Sequence, residues 1–535
     1  MISEPDKATI LWPFREVAHT GTQPLRIGVV VGSTRCSRWV ESLVRFLRGL
    51  PGTNVCLIPL GESIGTQTNR AGWLWESLYA ASRRAYDPFS ETELAEADAV
   101  DRSDSIPAGR FDVLVWLASR PDPRVSFSSW ATYGVFTVRL GMPQGFPFWD
   151  EVATEMPTSK AAIYWHDSSL LRGRLVREAE TSTAQGLLFT NNAKEPLAGI
   201  VGMMASLCLE ILRDGPAFVE KRRSLAEEPT EAAVEDARPS AFEVGRFIAR
   251  KLRRSVAVRL RHRGRQPHWF VAARRNSGQS IADAMPADLS GFREIPLPPG
   301  SAGMADPFLV DFDGHTWLLF EDLPAGASRG RLACMKLSEQ GSCSEMTVVM
   351  ERDYHLSYPC PVSVNGELFL IPECRQARRI DLYRFAHFPS RIELVATLAE
   401  DVRAVDTTPL FLEGRWYFFT TTGQPYAETL LFWSNRLDRS WKLHPSSPIS
   451  TSVGNSRSAG LPFYWKGRLY RPTQDCSIRY GYGIRVNEIK KLTPTEFEER
   501  LVRTIPPSWM PGLLGTHTWN EDARFQVIDG FRAMG

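Results

Sequence analysis

A proline that opens a run of strand-forming residues recurs four times in the second half of the chain, at Pro307, Pro361, Pro409 and Pro462. The spacing is about 50 residues, a period expected of propeller blades. Each run reaches a tight turn: Asp313-Gly314, Asn365-Gly366, Glu413-Gly414 and Lys466-Gly467. A second run follows and closes on Glu321-Asp322, Pro372-Glu373-Cys374 or Gln474-Asp475-Cys476. Strand, tight turn, strand is the hairpin signal, and hairpins repeated at this period fit four-stranded blades around a channel. Ring closure is expected from His268 to Arg274 and from Gly515 to Phe531, which brings the blade count to five.

The remainder requires more domains, since 535 residues exceed what one core organises. A hydrophobic fraction of 43% with 23% charged residues is that of a soluble globular protein, and a net charge of +2 selects no acidic partner. No nucleic-acid partner is expected. The eight cysteines form no CxxC pair, which disfavours zinc or a disulfide framework. The start, Met1 to Asp6, lacks a basic segment followed by an apolar run, and Leu197 to Cys208 reads as too short to span a bilayer. A cytoplasmic location is therefore the expectation.

Leu25 to Gly32 is a continuous apolar, β-branched run, as in a buried parallel strand. Ser37 to Leu50 carries Val40, Leu43, Val44 and Leu47 on one helical face, and Asn54 to Leu60 and Phe111 to Leu117 read as further strands. This order argues for an α/β domain with a parallel sheet. Neither GxGxxG nor GxxxxGK is present, so no dinucleotide or P-loop site is supported. Phe111 to Val115, Tyr133 to Phe136, Gly141-Met142-Pro143 and the stretch to Thr158 together resemble the core of the methionyl-tRNA formyltransferase superfamily. The resemblance covers about Leu25 to Asn192. It implies an Asn-x-His pair and a later Asp for formyl transfer, but the matching place reads Thr137-Val138-Arg139. A guanidinium stays charged and cannot relay protons. Arg139, His166 and Asp167 are the candidates left at this site, and formyl-tetrahydrofolate is not expected as a cofactor. Binding of an anionic ligand through Arg139, or a docking role, remains open to this domain.

Glu220 to Pro239 is charged and poor in large apolar residues, as a linker is. From Phe242 to His262, apolar positions Phe247, Ile248, Leu252, Val256 and Leu260 alternate with a dense set of arginines. A basic amphipathic helix of this kind either lies on an acidic membrane surface or is clamped between domains. The expected architecture is multidomain: an extension over 1–24, then an α/β Rossmann-like formyltransferase-type domain over 25–214. A charged linker with the basic helix follows over 215–265, and an all-β five-bladed β-propeller over 266–535. Peripheral contact with the inner face of a membrane is expected through residues 242–265.

In a propeller the innermost strand of each blade lines the channel. The residues leading those strands, Asp306, Tyr358, Asp406, Arg457 and His517, therefore converge on one mouth. Glu321, Glu373 and Asp475 close the second strands. Asp in a turn before a strand is commonly structural, but equivalent places of a repeat carrying polar groups point to an axial pocket. Carboxylates gathered with Arg, His and Tyr suit glycosyl chemistry, in which an acid protonates the leaving oxygen and a carboxylate acts as base or nucleophile. No metal is required.

His355 to Pro359, Ile371-Pro372-Glu373, Leu382-Tyr383-Arg384 before Phe388-Pro389, Val405 to Thr408 and Leu469 to Cys476 form an ordered set. The set resembles the propeller of glucosamine inositolphosphorylceramide transferase proteins of plants and their bacterial relatives. That fold is similar to arabinanase, xylosidase and fructosidase glycosidases. The resemblance covers about residues 266–520. It implies the fold; in the plant proteins a separate transferase domain makes the sugar bond, and no stretch of this sequence resembles it. Set against the glycosidases, Asp306 would be the base or nucleophile, Glu373 the acid and Asp406 the tuning group of a glycosyl transfer or hydrolysis. Glu373 precedes Asp406 here, whereas the glycosidases have Asp before Glu. Tyr358, Arg457, Asp475, His517 and Glu321 would bind the substrate, a carbohydrate or glycolipid. No cofactor is fixed by a motif; a nucleotide sugar is the donor that transfer would draw on. Two other functions fit: an N-formyltransferase acting on an amino sugar, and a non-catalytic glycan-binding or scaffold protein.

Overall fold

The computed structural model describes residues 6–14, 23–33, 35–60, 77–78, 88–93, 110–118, 130–142, 146–167, 172–183, 189–229, 239–261, 267–283, 289–423 and 427–533. The chain divides into two compact units, one within Met1–Ala257 and the other within Val258–Gly423 and Ala427–Gly535.

The first unit is built on a seven-stranded sheet. Strand Leu25–Val31 lies between Thr53–Pro59 and Val113–Trp116, parallel to both, and Val135–Leu140 continues the parallel set. The run LRIGVVV is buried at all but its second residue, which is why it reads as continuously apolar. The sheet is not parallel throughout, as the sequence pattern suggested. Strands Thr158–His166, Arg172–Ser182 and Glu227–Pro229 join antiparallel. The link from His166 to Arg172 is too short for a crossover and permits only a hairpin.

The apolar segment is also longer than expected. Thr190–Asp214 is a helix of 25 residues, long and apolar enough to cross a membrane, with 89% of its most apolar window buried inside the fold. Ala193, Leu197, Ile200, Met203, Met204 and Leu207 are wholly covered, so this helix packs as core. The expected linker begins with structure: Pro216–Arg223 is helical and Glu227–Pro229 extends the sheet edge, while residues 230–238 lie outside the described residues.

Helix Ala241–Arg261 occupies the expected basic segment. Ser240 and Glu243 cap it reciprocally, Glu243 accepting from the Ser240 backbone at 2.7 Å and Ser240 Oγ from the Glu243 backbone at 3.3 Å. Val244 and Phe247 pack against Trp149 and Val152, whereas Phe242 and Leu252 are exposed. The side chains from Arg254 onward and residues 262–266 lie outside the described residues, as do residues 143–145 of the formyltransferase-like stretch.

The second unit is a five-bladed β-propeller. Blade one comprises Ser301–Phe312, His315–Pro324, Arg331–Leu337 and Thr347–Met350. Blade two runs from Ser357–Val364 to Arg391–Glu400, blade three from Ala404–Leu412 to Lys442–Leu443, and blade four from Phe463–Trp465 to Phe497–Ile505. The fifth blade is composite. Strand Pro267–Arg275 pairs antiparallel with Phe525–Ala533 through nine residue pairs, closing the ring. Apolar clusters bridge neighbouring blades: Val271 and Val527 meet Leu318 and Ala333, and Phe308 and Leu332 meet Cys360 and Leu370. Leu410 and Phe419 meet Leu469 and Ile489, and Tyr470 and Ile484 meet Phe270 and Ile528. Four of the five blade junctions thus bury apolar faces against one another.

Candidate functional site

Asp306, Tyr358 and Asp406 do not lead their strands as the pattern suggested; they sit at bulges inside them. The pairing skips between Ala305 and Phe308, between Ser357 and Cys360, and between Val405 and Thr408. At each skip the first residue takes a left-handed backbone, with φ of 52° at Asp306, 45° at Tyr358 and 49° at Asp406. A bulge re-aims a side chain, and a non-glycine residue at positive φ is uncommon, most of all a bulky one. Three blades therefore carry the same strained device, and it turns these residues toward the axis.

Their contacts form one network. Asp306 Oδ2 accepts the Tyr358 backbone N–H at 3.1 Å, and Oδ1 accepts the Thr518 hydroxyl at 2.8 Å. His517 Nε2 lies 3.8 Å from Asp306 Oδ1, and His517 Nδ1 donates to Asp529 Oδ2 at 2.5 Å. Burial alone would lower the pKa of His517, but Asp529 and Asp306 outweigh it and hold the imidazolium up to about 9. Trp269 stacks on this ring at 4.1 Å. Asp406 Oδ2 accepts from Arg457 Nε at 2.7 Å and from Gln474 Nε2 at 3.2 Å.

Glu373 stands beside this pair. Its Oε2 lies 3.6 Å from Arg457 Nη2 and is buried without a hydrogen bond. Burial, and next the Asp406 charge, push its carboxyl up to about 8, so it is protonated at neutral pH. Glu321 stands at the equivalent place of blade one, paired with Ala305 as Glu373 is with Ser357. Burial first and the Asp306 charge second hold it well above the usual carboxylate range. Burial likewise raises Asp306, with His517 opposing.

The depth of these groups differs. The side chains of Asp306, Asp406 and His517 are at most 7% exposed, against 10% for Glu373, 16% for Glu321 and 22% for Arg457. The glutamates and Arg457 thus face the opening, and the aspartates lie beneath. Tyr480, at 54% exposure, rims the opening with its ring 5.0 Å from the Arg457 guanidinium and 5.6 Å from His517. Asp306, His517 and Asp529 each offer an atom within 4.8 Å of the others, a spacing that suits a cation. The proton on His517 Nδ1 already bridges it to Asp529, which leaves Nε2 as the ring atom facing Asp306.

Two expected binding residues are placed elsewhere. Tyr358 is fully buried, and its hydroxyl is held by Thr408 at 2.9 Å and by the Gly460 backbone N–H at 3.1 Å. It positions Asp306 and does not face a ligand. Asp475 pairs with Arg485 at 3.2 Å and accepts the Ser477 backbone N–H, because strand alternation turns Gln474 inward instead. Arg471 is paired with Glu499, away from the axial carboxylates. Sequence reasoning missed His355, Trp269, Tyr480, Gln474 and Asp529. His355 belongs to a quoted motif, and Gln474 adjoins the residue chosen; nothing in the repeat marks Tyr480 or Asp529.

In the first unit, His166 Nδ1 lies 2.9 Å from the Arg172 carbonyl and therefore carries the proton that it donates there. Nε2 then accepts from the Thr137 hydroxyl at 2.9 Å. Both ring nitrogens are engaged within the sheet. Arg139 faces Glu178 at 3.4 Å and lies over Tyr164, and Asp167 is paired with Arg174 and Arg223.

The second unit is thus a five-bladed propeller with an acidic, arginine-bearing axial site. A family model described as "Glucosamine inositolphosphorylceramide transferase 1, N-terminal" matches residues 296–529. Glucosamine inositolphosphorylceramide transferase 1 of Oryza sativa subsp. japonica is 30% identical over 205 residues, which cover 37% of this chain and 27% of that protein. The Arabidopsis thaliana protein of the same name is 29% identical over 226 residues, 41% of this chain and 29% of its own. The matched region spans less than a third of these relatives. Among solved structures, the Cellvibrio cellulosa α-L-arabinanase complexed with arabinohexaose is 11% identical at a TM-score of 0.28, covering 37% of this chain and 77% of that one. RS223-β-xylosidase is 11% identical at 0.33, covering 45% and 94%.

Proposed function

We propose that the propeller is a carbohydrate-active centre that transfers, or alternatively hydrolyses, a glycosyl unit of a glycan or glycolipid. The observation that carries this reading is Glu373: a buried carboxyl held protonated at neutral pH, hydrogen-bonded to Asp406 and beside Arg457. Such a group is ready to protonate a leaving oxygen, and separating the pKa values of neighbouring carboxyls is how an acid and a base are assigned. In this scheme Asp306 is the base or nucleophile. Asp406 raises Glu373, and Arg457 and His517 hold an anionic or hydroxylated substrate group. The relatives matched over the same region are named for transfer to inositolphosphorylceramide, which supports a glycolipid substrate. The N-formyltransferase reading draws no support from His166, whose nitrogens are both engaged.

A second reading has an observation of its own. The Asp406–Arg457 ion pair at 2.7 Å is an arrangement that a binding site uses, under which the pocket recognises a sugar or lipid head group without chemistry. Thermal-shift screening of the full chain against nucleotide sugars and glycosides, followed by turnover assays on the hits, separates the two. Asp306→Asn is expected to lower turnover about a hundredfold or more, the scale of lost acid–base catalysis. Stabilisation by a sugar with no turnover, or turnover unchanged in Asp306→Asn, rejects the catalytic assignment.

A further inference from the structure

Gly330 lies pressed against Glu321. A Cβ on Gly330 would come 2.3 Å from Glu321 Oε1 and 2.8 Å from the Leu356 carbonyl. The same glycine donates its backbone N–H to His355 Nδ1 at 2.9 Å, and its carbonyl accepts the Leu356 N–H. His355 is also fixed through its own backbone, which donates to Gln376 Oε1 at 3.0 Å. The residue is therefore held at its backbone and at ring Nδ1, and the hold on Nδ1 decides its chemistry. A backbone N–H is always a donor, so Nδ1 must be the acceptor, and the single proton of the neutral ring must sit on Nε2. Nε2 lies 3.5 Å from Glu321 Oε1, at the outer reach of a weak hydrogen bond. Oε1 is thus offered a donor, and among the described residues nothing hydrogen-bonds to Oε2.

We propose that His355 is a positioning residue that gives its one ring proton to Glu321 Oε1 and thereby makes Glu321 a donor, through Oε2–H, to a substrate oxygen in the axial pocket. The substrate class is a hydroxyl or ether oxygen of a sugar, in keeping with the reading above, on which this inference rests only for the ligand. The groups around Glu321 agree with a neutral carboxyl. Burial comes first, and Asp306 and Asp529 oppose a further negative charge there, against the pull of His517. Burial lowers His355, which keeps the ring neutral. Glu321 and Glu373, equivalent in successive blades, then act as two protonated carboxyls facing the opening, one answering to His355 and the other to Asp406.

The test needs no substrate. In infrared difference spectra of the full chain at pH 7, Glu321→Gln should remove one protonated-carboxyl C=O band. His355→Ala should shift that band to higher frequency, because the carbonyl loses its donor. His355→Gln, whose amide can accept from Gly330 and donate to Glu321, should restore it. If His355→Ala does not fold, 15N-histidine spectra of the unaltered protein serve instead, with the His355 signals identified by their loss in His355→Gln. They should show Nε2 protonated and Nδ1 bare at pH 7. An Nδ1–H tautomer or an imidazolium at His355 overturns the proposal. So does a Glu321→Gln spectrum that lacks no band, or a band unmoved by His355→Ala. Spectra as expected from a protein that neither binds nor turns over any sugar would sink the carbohydrate reading alone. Active protein with contrary spectra would sink the His355 role alone.

Discussion

Glu373 shows how a carboxyl is kept neutral without being taken out of reach: burial disfavours its charge, Asp406 repels it, and Arg457 at 3.6 Å returns only part of that cost. Glu373→Gln is accordingly expected to lower turnover about a hundredfold or more and to abolish the alkaline fall in rate near pH 8 that the native acid imposes. Stability carries the same signature. The folded pKa is raised for both Glu373 and His517, to about 8 and about 9. Each contribution is therefore complete below the unfolded pKa and is lost as pH rises through the folded one. The melting temperature should fall between pH 6 and 9, and Glu373→Gln should flatten the part below pH 8. A melting temperature that rises over this range would contradict both assignments.

The bulged inner strand links the repeat to the site. Asp tolerates a left-handed backbone comparatively well, but Tyr358 does not and must be held by its surroundings. Its hydroxyl satisfies the Gly460 N–H and meets Thr408 in a fully buried setting. Tyr358→Phe should cost about 1–3 kcal/mol in denaturant unfolding, since it strands a buried donor. It should leave the backbone N–H that holds Asp306. The hairpins were legible because Asp313-Gly314 and Asn365-Gly366 can adopt few other turns, and their period gave the blade count. The axial residues were legible because equivalent places of a repeat meet in space. Asp475 misled for a local reason: successive strand residues face opposite sides, and the repeat does not say which of Gln474 and Asp475 points inward. His355 was invisible as a partner of Glu321, since what joins them is a glycine 25 residues upstream of the histidine.

Ring closure operates at the scale of the whole second unit. Pro267–Arg275 is held by nine pairs to Phe525–Ala533, and that second strand also carries Asp529, which orients His517. A chain ending at residue 524 should lose amide-exchange protection over 267–275 and the cooperative unfolding of the propeller together. Retained protection there would show that the ring stands without its closing strand. The pairing joins Arg274 to Gln526 across 252 positions, so the first strand of the ring waits for a partner made about 250 residues later. A chain still on the ribosome can stack its middle blades yet cannot set His517 against Asp306. Whatever chemistry the axis performs is therefore withheld until residues 525–533 have been made, and the centre comes into being only as the circle is shut.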